Sequence, residues 1–317
     1  MRSAFFCCTV ALAFRILMPM PHELTLPSFA KVNLYLRVLG RRDDGYHELS
    51  TVFQTVSLHD TITFTESDDL SLTWNQRAIS VSDNNLIIKA ANQLRSHFGI
   101  DRGARISLVK TIPAPGGLGG GSSNAAVTLL GLSRLWNLPI NIAGLEGMAA
   151  AIGSDVTFFL HGGTALGSGR GEVIEELPDL DLGRMLIVTP DVAVSTPEAF
   201  YSLSAPNLTK QALNRTLSVC RNEAKSQDLL HLPLKNDFEA SVFDVYPEVR
   251  RAKETLLALG AQSAAMSGSG ASIFAIFDKE ETRQAALKAL DKEVNWRKFA
   301  VAAISRREYR EALKRVF

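Results

Sequence analysis

Pro113-Ala114-Pro115-Gly116-Gly117-Leu118-Gly119-Gly120-Gly121-Ser122-Ser123-Asn124 is the stretch on which the reading of this chain turns. Upstream of it, Arg105-Ile106-Ser107-Leu108-Val109-Lys110-Thr111-Ile112 alternates as a half-buried strand does. Downstream, residues 125–136 are rich in helix formers, and Ser122 and Ser123 stand where N-caps are expected. A strand therefore gives way to a helix across five glycines. Glycine lets the backbone come close to a ligand and adopt positive φ. The first amides of a helix lack internal partners and carry the positive end of its dipole. Together these predict an anion cradle, most naturally for phosphate.

The run differs from the better-known glycine loops. Residues 116–123 read G-x-x-x-x-G-S-S, so Ser122 occupies the place of the Walker A lysine. G-x-G-x-x-G fails too, because Ser122 occupies the last position after Gly117 and Gly119. A Rossmann dinucleotide site and a protein-kinase loop are both disfavoured.

Two other segments bear on the same question. Ser28-Phe29-Ala30-Lys31-Val32-Asn33-Leu34-Tyr35-Leu36 is followed by Arg42-Asp43-Asp44-Gly45-Tyr46-His47-Glu48-Leu49, and Met266-Ser267-Gly268-Ser269-Gly270-Ala271-Ser272-Ile273-Phe274 lies near the carboxy end. In this order, over about residues 27–277, the three segments resemble the signature motifs of the GHMP kinases. The D-G-Y-H element resembles the branch acting on a cytidine diphosphate-methylerythritol rather than the whole superfamily. Pro115 departs from the usual small residue, but it precedes the phosphate-facing glycines.

The resemblance implies an α+β, two-domain GHMP-kinase fold. Its amino-terminal half would be like ribosomal protein S5 domain 2 and its carboxy-terminal half ferredoxin-like, the latter matching the short strand–helix alternation of the sequence. Residues 1–20 are expected to be a non-core extension, 21–183 an ATP-binding domain and 184–317 a second domain. Expected strands cover residues 31–39, 51–57, 61–66, 105–112, 185–188, 263–266 and 273–277. Helices are expected near 86–98, 123–136, 197–203, 210–224, 247–259 and 279–290.

The resemblance further implies an ATP-dependent kinase that phosphorylates the 2-hydroxyl of the methylerythritol unit, in the non-mevalonate route to isoprenoid precursors. It carries the catalytic roles onto Lys31 and Asp155. ATP binding falls on Pro113 through Ser123, with Asn85 and Lys110 near the nucleotide. Asn33, Tyr46, His47 and Thr196 are the expected substrate contacts. Phosphoryl transfer asks for the triphosphate to be held, its developing charge stabilised and the hydroxyl placed in line. A carboxylate is a weak base unless its site perturbs it, so orienting the hydroxyl is Asp155's larger expected role. The alternatives stay open: Asp155 as a helix cap after Gly153-Ser154, Asn84-Asn85 as a cap for residues 86–98, and Gly268-Ser269-Gly270 as a tight turn. Tyr46 and His47 follow Asp44-Gly45, a hairpin signal. Asn33, two residues past Lys31, shares its face of a strand.

Magnesium is expected with ATP, although no acidic pair at an obvious spacing identifies its ligands. The net charge is +1, with 34 Lys plus Arg against 33 Asp plus Glu, which argues against a nucleic-acid partner. Cys7, Cys8 and Cys220 form no C-x-x-C or zinc pattern, as in a cytoplasmic protein. Residues 4–18 are apolar apart from Thr9 and Arg15, which reads either as a short signal peptide or as a dispensable extension with Met18 or Met20 as alternative starts. The stretch is too short and interrupted for a transmembrane helix, and no membrane partner is expected. The rival readings are a GHMP kinase for homoserine or a sugar, a catalytically silent nucleotide-binding regulator on the same fold, and a membrane-tethered form.

Overall fold

A computed structural model describes residues 22–75, 77–79, 84–201, 203, 234–314 and 316. The expected amino-terminal extension, the three cysteines and the helix expected near 210–224 lie outside the described residues.

The first unit opens with β1 (Glu23–Arg41) and β2 (His47–Ser67), paired antiparallel from Glu23↔Thr65 to Arg41↔His47. The two strands expected over 51–57 and 61–66 are thus one long strand. The hairpin expected at Asp44-Gly45 closes as Arg42 N–H donates to Tyr46 O (2.7 Å) and Gly45 N–H to Arg42 O (3.1 Å). There follow β3 (Leu70–Trp74), β4 (Arg77–Ile79), α1 (Leu86–Phe98), β5 (Gly103–Val109) and α2 (Gly120–Leu135). Next come α3 (Ile142–Ile152), a 3-10 turn (Ser154–Val156), α4 (Phe158–His161), β6 (Thr164–Gly169) and β7 (Val173–Glu176). The strands run in the order β4-β3-β5-β2-β1, and β6 pairs with β2 and carries β7.

The second unit begins with β8 (Arg184–Pro190) and α5 (Thr196–Tyr201). A two-residue strand, β9 (Lys235–Asn236), then joins the first sheet parallel to β1. After α6 (Glu239–Val245) come α7 (Pro247–Ala258), β10 (Ser263–Met266), β11 (Ile273–Phe277), α8 (Glu280–Ala289), β12 (Trp296–Val301) and α9 (Arg306–Ala312). The sheet order β10-β11-β8-β12, all antiparallel, with α7 and α8 as crossovers, is the ferredoxin-like split βαβ pattern.

Strand β8 shows why the two sheets lie face to face. Leu186 and Val188 pack into the core that holds Val249, Ala252 and Leu256 of α7. Met185 and Ile187 pack into another core with Val32, Val52 and Val56 of the first sheet. Period-2 alternation therefore buries both faces of one strand. A third core lies between the first sheet and α1, α2 and α3, and α9 returns to it with Tyr309 and Leu313. The Tyr309 hydroxyl donates to Phe159 O there.

One local expectation is corrected. Helix α2 starts at Gly120, and its N-cap is Gly119 rather than Ser122 or Ser123. Gly119 at φ +69° turns the chain into the helix early, and its carbonyl accepts from Ser123 N–H at 2.8 Å. Ser123 is buried, with its hydroxyl 2.8 Å from that of Ser28, which also donates to Asn124 Oδ1 at 2.7 Å. Both serines thus sit within the first helical turn.

Candidate active site

A cleft of about 770 Å³ opens where the glycine run, the β1–β2 hairpin and the loop between β10 and β11 converge. At its floor, Lys31 comes up from β1 and is 2% exposed. Its ammonium donates to Asn33 Oδ1 at 2.6 Å and lies 3.3 Å from Asp155 Oδ2. Asn33 Nδ2 donates to Thr51 Oγ1 at 2.8 Å, and that hydroxyl donates to Tyr35 O at 2.8 Å. A lysine ammonium buried this deeply needs charge compensation, and Asp155 supplies it from the 3-10 turn. The shared strand face expected for Lys31 and Asn33 is thus a direct contact. Asp155 is not the cap of a long helix; its carboxylate is one-third exposed and lines the cleft.

The glycine run lies over this pair. Leu118 O accepts from Lys31 N–H at 3.0 Å, which pins the loop to β1. Gly119 must be glycine: a Cβ there would lie 2.9 Å from the Phe159 ring and 3.1 Å from Lys31 Cε. Gly117, at φ +72°, is more constrained still, because its Cβ would fall 2.0 Å from Ser267 O. Ser267 Oγ donates to Gly117 O (2.9 Å), and Ser272 N–H donates to Gly116 O (3.2 Å). The third glycine segment is therefore a brace for the first. Pro115, Gly116, Gly117, Gly119 and Ser122 reach the cleft; Pro113, Ala114, Leu118, Gly120, Gly121 and Ser123 complete the loop and first helical turn behind them.

Two expected nucleotide residues lie outside the lining. Asn85 caps α1, accepting from Ile87 N–H at 2.9 Å. Lys110 donates to Asp60 Oδ2 and to Ile112 O, both at 2.8 Å. Burial depresses the Lys110 ammonium below the usual lysine range against the pull of Asp60. Asp60 is fully buried and also accepts from the amides of Thr111 and Ile112 at 2.7 and 2.8 Å. This pair fixes the exit of β5 into the glycine run.

At the other end, Tyr46 projects from the hairpin, 56% exposed, with the Arg170 guanidinium 4.9 Å from its ring centroid. His47 stacks on Phe200 of α5 (5.0 Å, 23°), and Phe200 meets Phe238 edge-on at 4.7 Å. Burial, then the neighbouring Arg41 charge, pushes the His47 imidazole below its ordinary value. Thr196 bonds to Ser269 through their hydroxyls at 2.7 Å, joining α5 to the β10–β11 loop at the rim. Thr51, Arg170 and Phe200 were not singled out in the sequence. Only Arg170 left a signal there, the turn-forming Gly169-Arg170-Gly171.

The GHMP kinases N terminal domain model matches residues 85–163, and the GHMP kinases C terminal model matches residues 211–295. A Chlorobium phaeobacteroides protein named 4-diphosphocytidyl-2-C-methyl-D-erythritol kinase is 40% identical over 265 residues, covering 83% of this chain and 91% of the relative. The chain belongs to the GHMP kinases, in the branch of that relative. A crystal structure titled 4-(cytidine 5'-diphospho)-2C-methyl-D-erythritol kinase superposes with TM-score 0.70 at 32% identity, covering 88% of this chain and 99% of the other. Homoserine kinase from Cytophaga hutchinsonii, at TM-score 0.68 and 20% identity over 92% of this chain and 98% of its own, shares the GHMP kinase fold.

For a GHMP kinase, the site is economical in acidic groups. Among the described residues, no cluster of three or more His, Cys, Asp or Glu is arranged to hold a metal. Also among them, no helix is long and apolar enough to cross a membrane.

Proposed function

We propose that this chain transfers the γ-phosphoryl group of ATP to the 2-hydroxyl of 4-diphosphocytidyl-2-C-methyl-D-erythritol, in the cytoplasm, on the non-mevalonate route to isoprenoid precursors. The observation that carries this reading is the arrangement of the cleft. The Lys31–Asp155 pair lies beneath the glycine run at one end, and an aromatic group of Tyr46, His47 and Phe200 stands at the other.

In this reading the first amides of α2 and the loop backbone hold the triphosphate. Asp155 accepts a hydrogen bond from the substrate hydroxyl and orients its oxygen in line with the γ-phosphorus. As the new P–O bond forms, the bond from phosphorus to the ADP oxygen breaks. The hydroxyl proton passes to the Asp155 carboxylate as bond formation completes. A loose transition state needs little deprotonation before cleavage, so placement outweighs basicity. Lys31, held by Asn33 and Asp155, directs positive charge at the transferred oxygens. Tyr46 offers a face on which a cytosine stacks, and His47 a ring nitrogen for its edge. Asn33 faces the methylerythritol, and Thr196 reaches it from the second unit.

Magnesium fits this cleft as an ion carried on ATP. Among the described lining residues, the Asp155 carboxylate and the Ser122 hydroxyl beside the glycine run would hold it, and Mg²⁺ commonly takes one or two carboxylates and completes its shell with phosphate and water. Bound there, it would offset the charge of the triphosphate.

The test is ADP release with ATP and Mg²⁺, with and without the cytidyl substrate, beside Asp155→Ala. Substrate-dependent turnover is expected, with kcat falling about 10²–10⁴-fold in the variant while ATP still binds. Tight ATP binding with no stimulation by this substrate would sink the reading.

A further inference from the structure

Among the described residues, the cations lining the cleft are Lys31, Arg41 and Arg170, facing one lining carboxylate, Asp155. Lys31 is committed to Asn33 and Asp155 at the reacting end. Arg41 precedes the hairpin and pairs in register with His47 at the aromatic end. Arg170 lies between these ends, on the turn linking β6 to β7.

That turn is held rigidly. Gly169 N–H donates to Glu48 Oε1 at 2.9 Å, Arg170 N–H to Glu172 Oε2 at 2.6 Å, and Gly171 N–H to Ser168 O at 3.1 Å. Glu48 is itself fixed by Arg42 Nη1 at 2.8 Å, so the turn and the hairpin share one buried carboxylate. A Cβ on Gly171 would lie 3.8 Å from Asp155 Oδ1, which places the turn directly against the catalytic carboxylate. From this base the Arg170 side chain, 31% exposed, extends to the Tyr46 ring. Glu172 Oε1 is 3.5 Å from Arg170 Nε, longer than a good hydrogen bond.

A guanidinium can stack through its face and donate through its edge at once, which an ammonium cannot. A substrate with its base on Tyr46 and its hydroxyl at Asp155 must thread its linking diphosphate between the two. We propose that Arg170 is a specificity-determining residue for that diphosphate, stacked on Tyr46 and donating from its edge to the phosphate oxygens. This rests on the function proposed above and assigns the recognition of one part of its substrate.

The experiment compares binding of CDP and of cytidine by titration calorimetry, and steady-state kinetics with the cytidyl substrate, in wild type, Arg170→Met and Arg170→Lys. Arg170→Met should weaken CDP about tenfold or more and leave cytidine within about twofold, since only CDP presents the diphosphate. KM for the cytidyl substrate should rise in parallel while KM for ATP stays put. Arg170→Lys should fall between, keeping the charge but losing the fork. Equal losses for CDP and cytidine would overturn the proposal, because Arg170 would then serve only Tyr46. Unchanged CDP binding in Arg170→Met, with wild type turning over the substrate, would overturn it while leaving the function standing. A wild type inert toward the substrate would overturn both.

Discussion

In the proposed reading, the single ring of His47 ties substrate recognition to pH. It is stacked on Phe200, and its imidazole is held below the ordinary value by burial and then by Arg41. The neutral ring is therefore the form suited to the site. Its contribution is complete above the ordinary histidine pKa of about 6.5 and is lost as pH falls through the lowered one. With MgATP saturating, KM for the cytidyl substrate should be flat from pH 8 to about 6.5 and rise below. In His47→Gln that rise should vanish; a rise of the same size in the variant would assign it to another group. Much of this end of the site was legible residue by residue. Asp44-Gly45 announces a turn, and Lys31-Val32-Asn33 places two polar side chains on one strand face. Thr51, Arg170 and Phe200 were not: Thr51 and Phe200 stand four residues beyond His47 and Thr196 on the same elements with nothing in the sequence to mark their facing, and Arg170 comes from the separate β6–β7 turn. Lys110 and Asn85 were read as nucleotide neighbours, yet their polar atoms are committed to Asp60 and to the cap of α1. A motif shows which residues stand near a site, not which of them point into it.

Among the elements, the glycine run matters most, and its conformation is imposed from both sides. Lys110 and Asp60 fix its start, and Ser267 and Ser272 brace its middle. Gly117→Ala puts a methyl group into Ser267 O at a positive φ, so the loop must move. KM for ATP should rise well beyond any change for the cytidyl substrate, and the melting temperature should fall. Equal KM shifts for both substrates would speak against a local effect on the loop. Lys110→Met leaves Asp60 buried without its cation and should cost about 3–5 kcal/mol in urea unfolding. Helix α1 was legible to the residue, because Asn85 and Gly99 bound an amphipathic run. The start of α2 was not, because glycines carry no side-chain pattern and the cap proved to be one of them. Strands β3, β4, β6, β7, β9 and β12 lie outside the expected ones. In β6, Thr164-Ala165-Leu166-Gly167-Ser168-Gly169 is buried at every position and so lacks the alternation that marks a half-exposed strand.

At the scale of the molecule, the sheets share a core, and the last described helix does not stay with the unit that precedes it. Ile304 N–H donates to Thr55 O at 2.9 Å, and Tyr309 then packs, fully buried, with Phe29 and Phe159. Burial lifts its phenol far above the ordinary tyrosine value, so it remains a neutral donor to Phe159 O. Tyr309→Ala should destabilise the protein by about 3–5 kcal/mol and shift one cooperative transition rather than split it in two. Two resolved transitions in chemical unfolding would mean that the units fold independently. A ferredoxin-like second unit agreed with the strand–helix alternation, but the return of α9 left no such mark, since Arg306–Ala312 shows only one large apolar residue.

That return also orders events during synthesis. Tyr309 and Leu313 emerge from the ribosome only after every strand of the second sheet has been made. The core behind the glycine run, which includes Phe159, therefore lacks both side chains while the nascent second unit is taking shape. A chain halted before Tyr309 would present its glycine loop on an unfinished core.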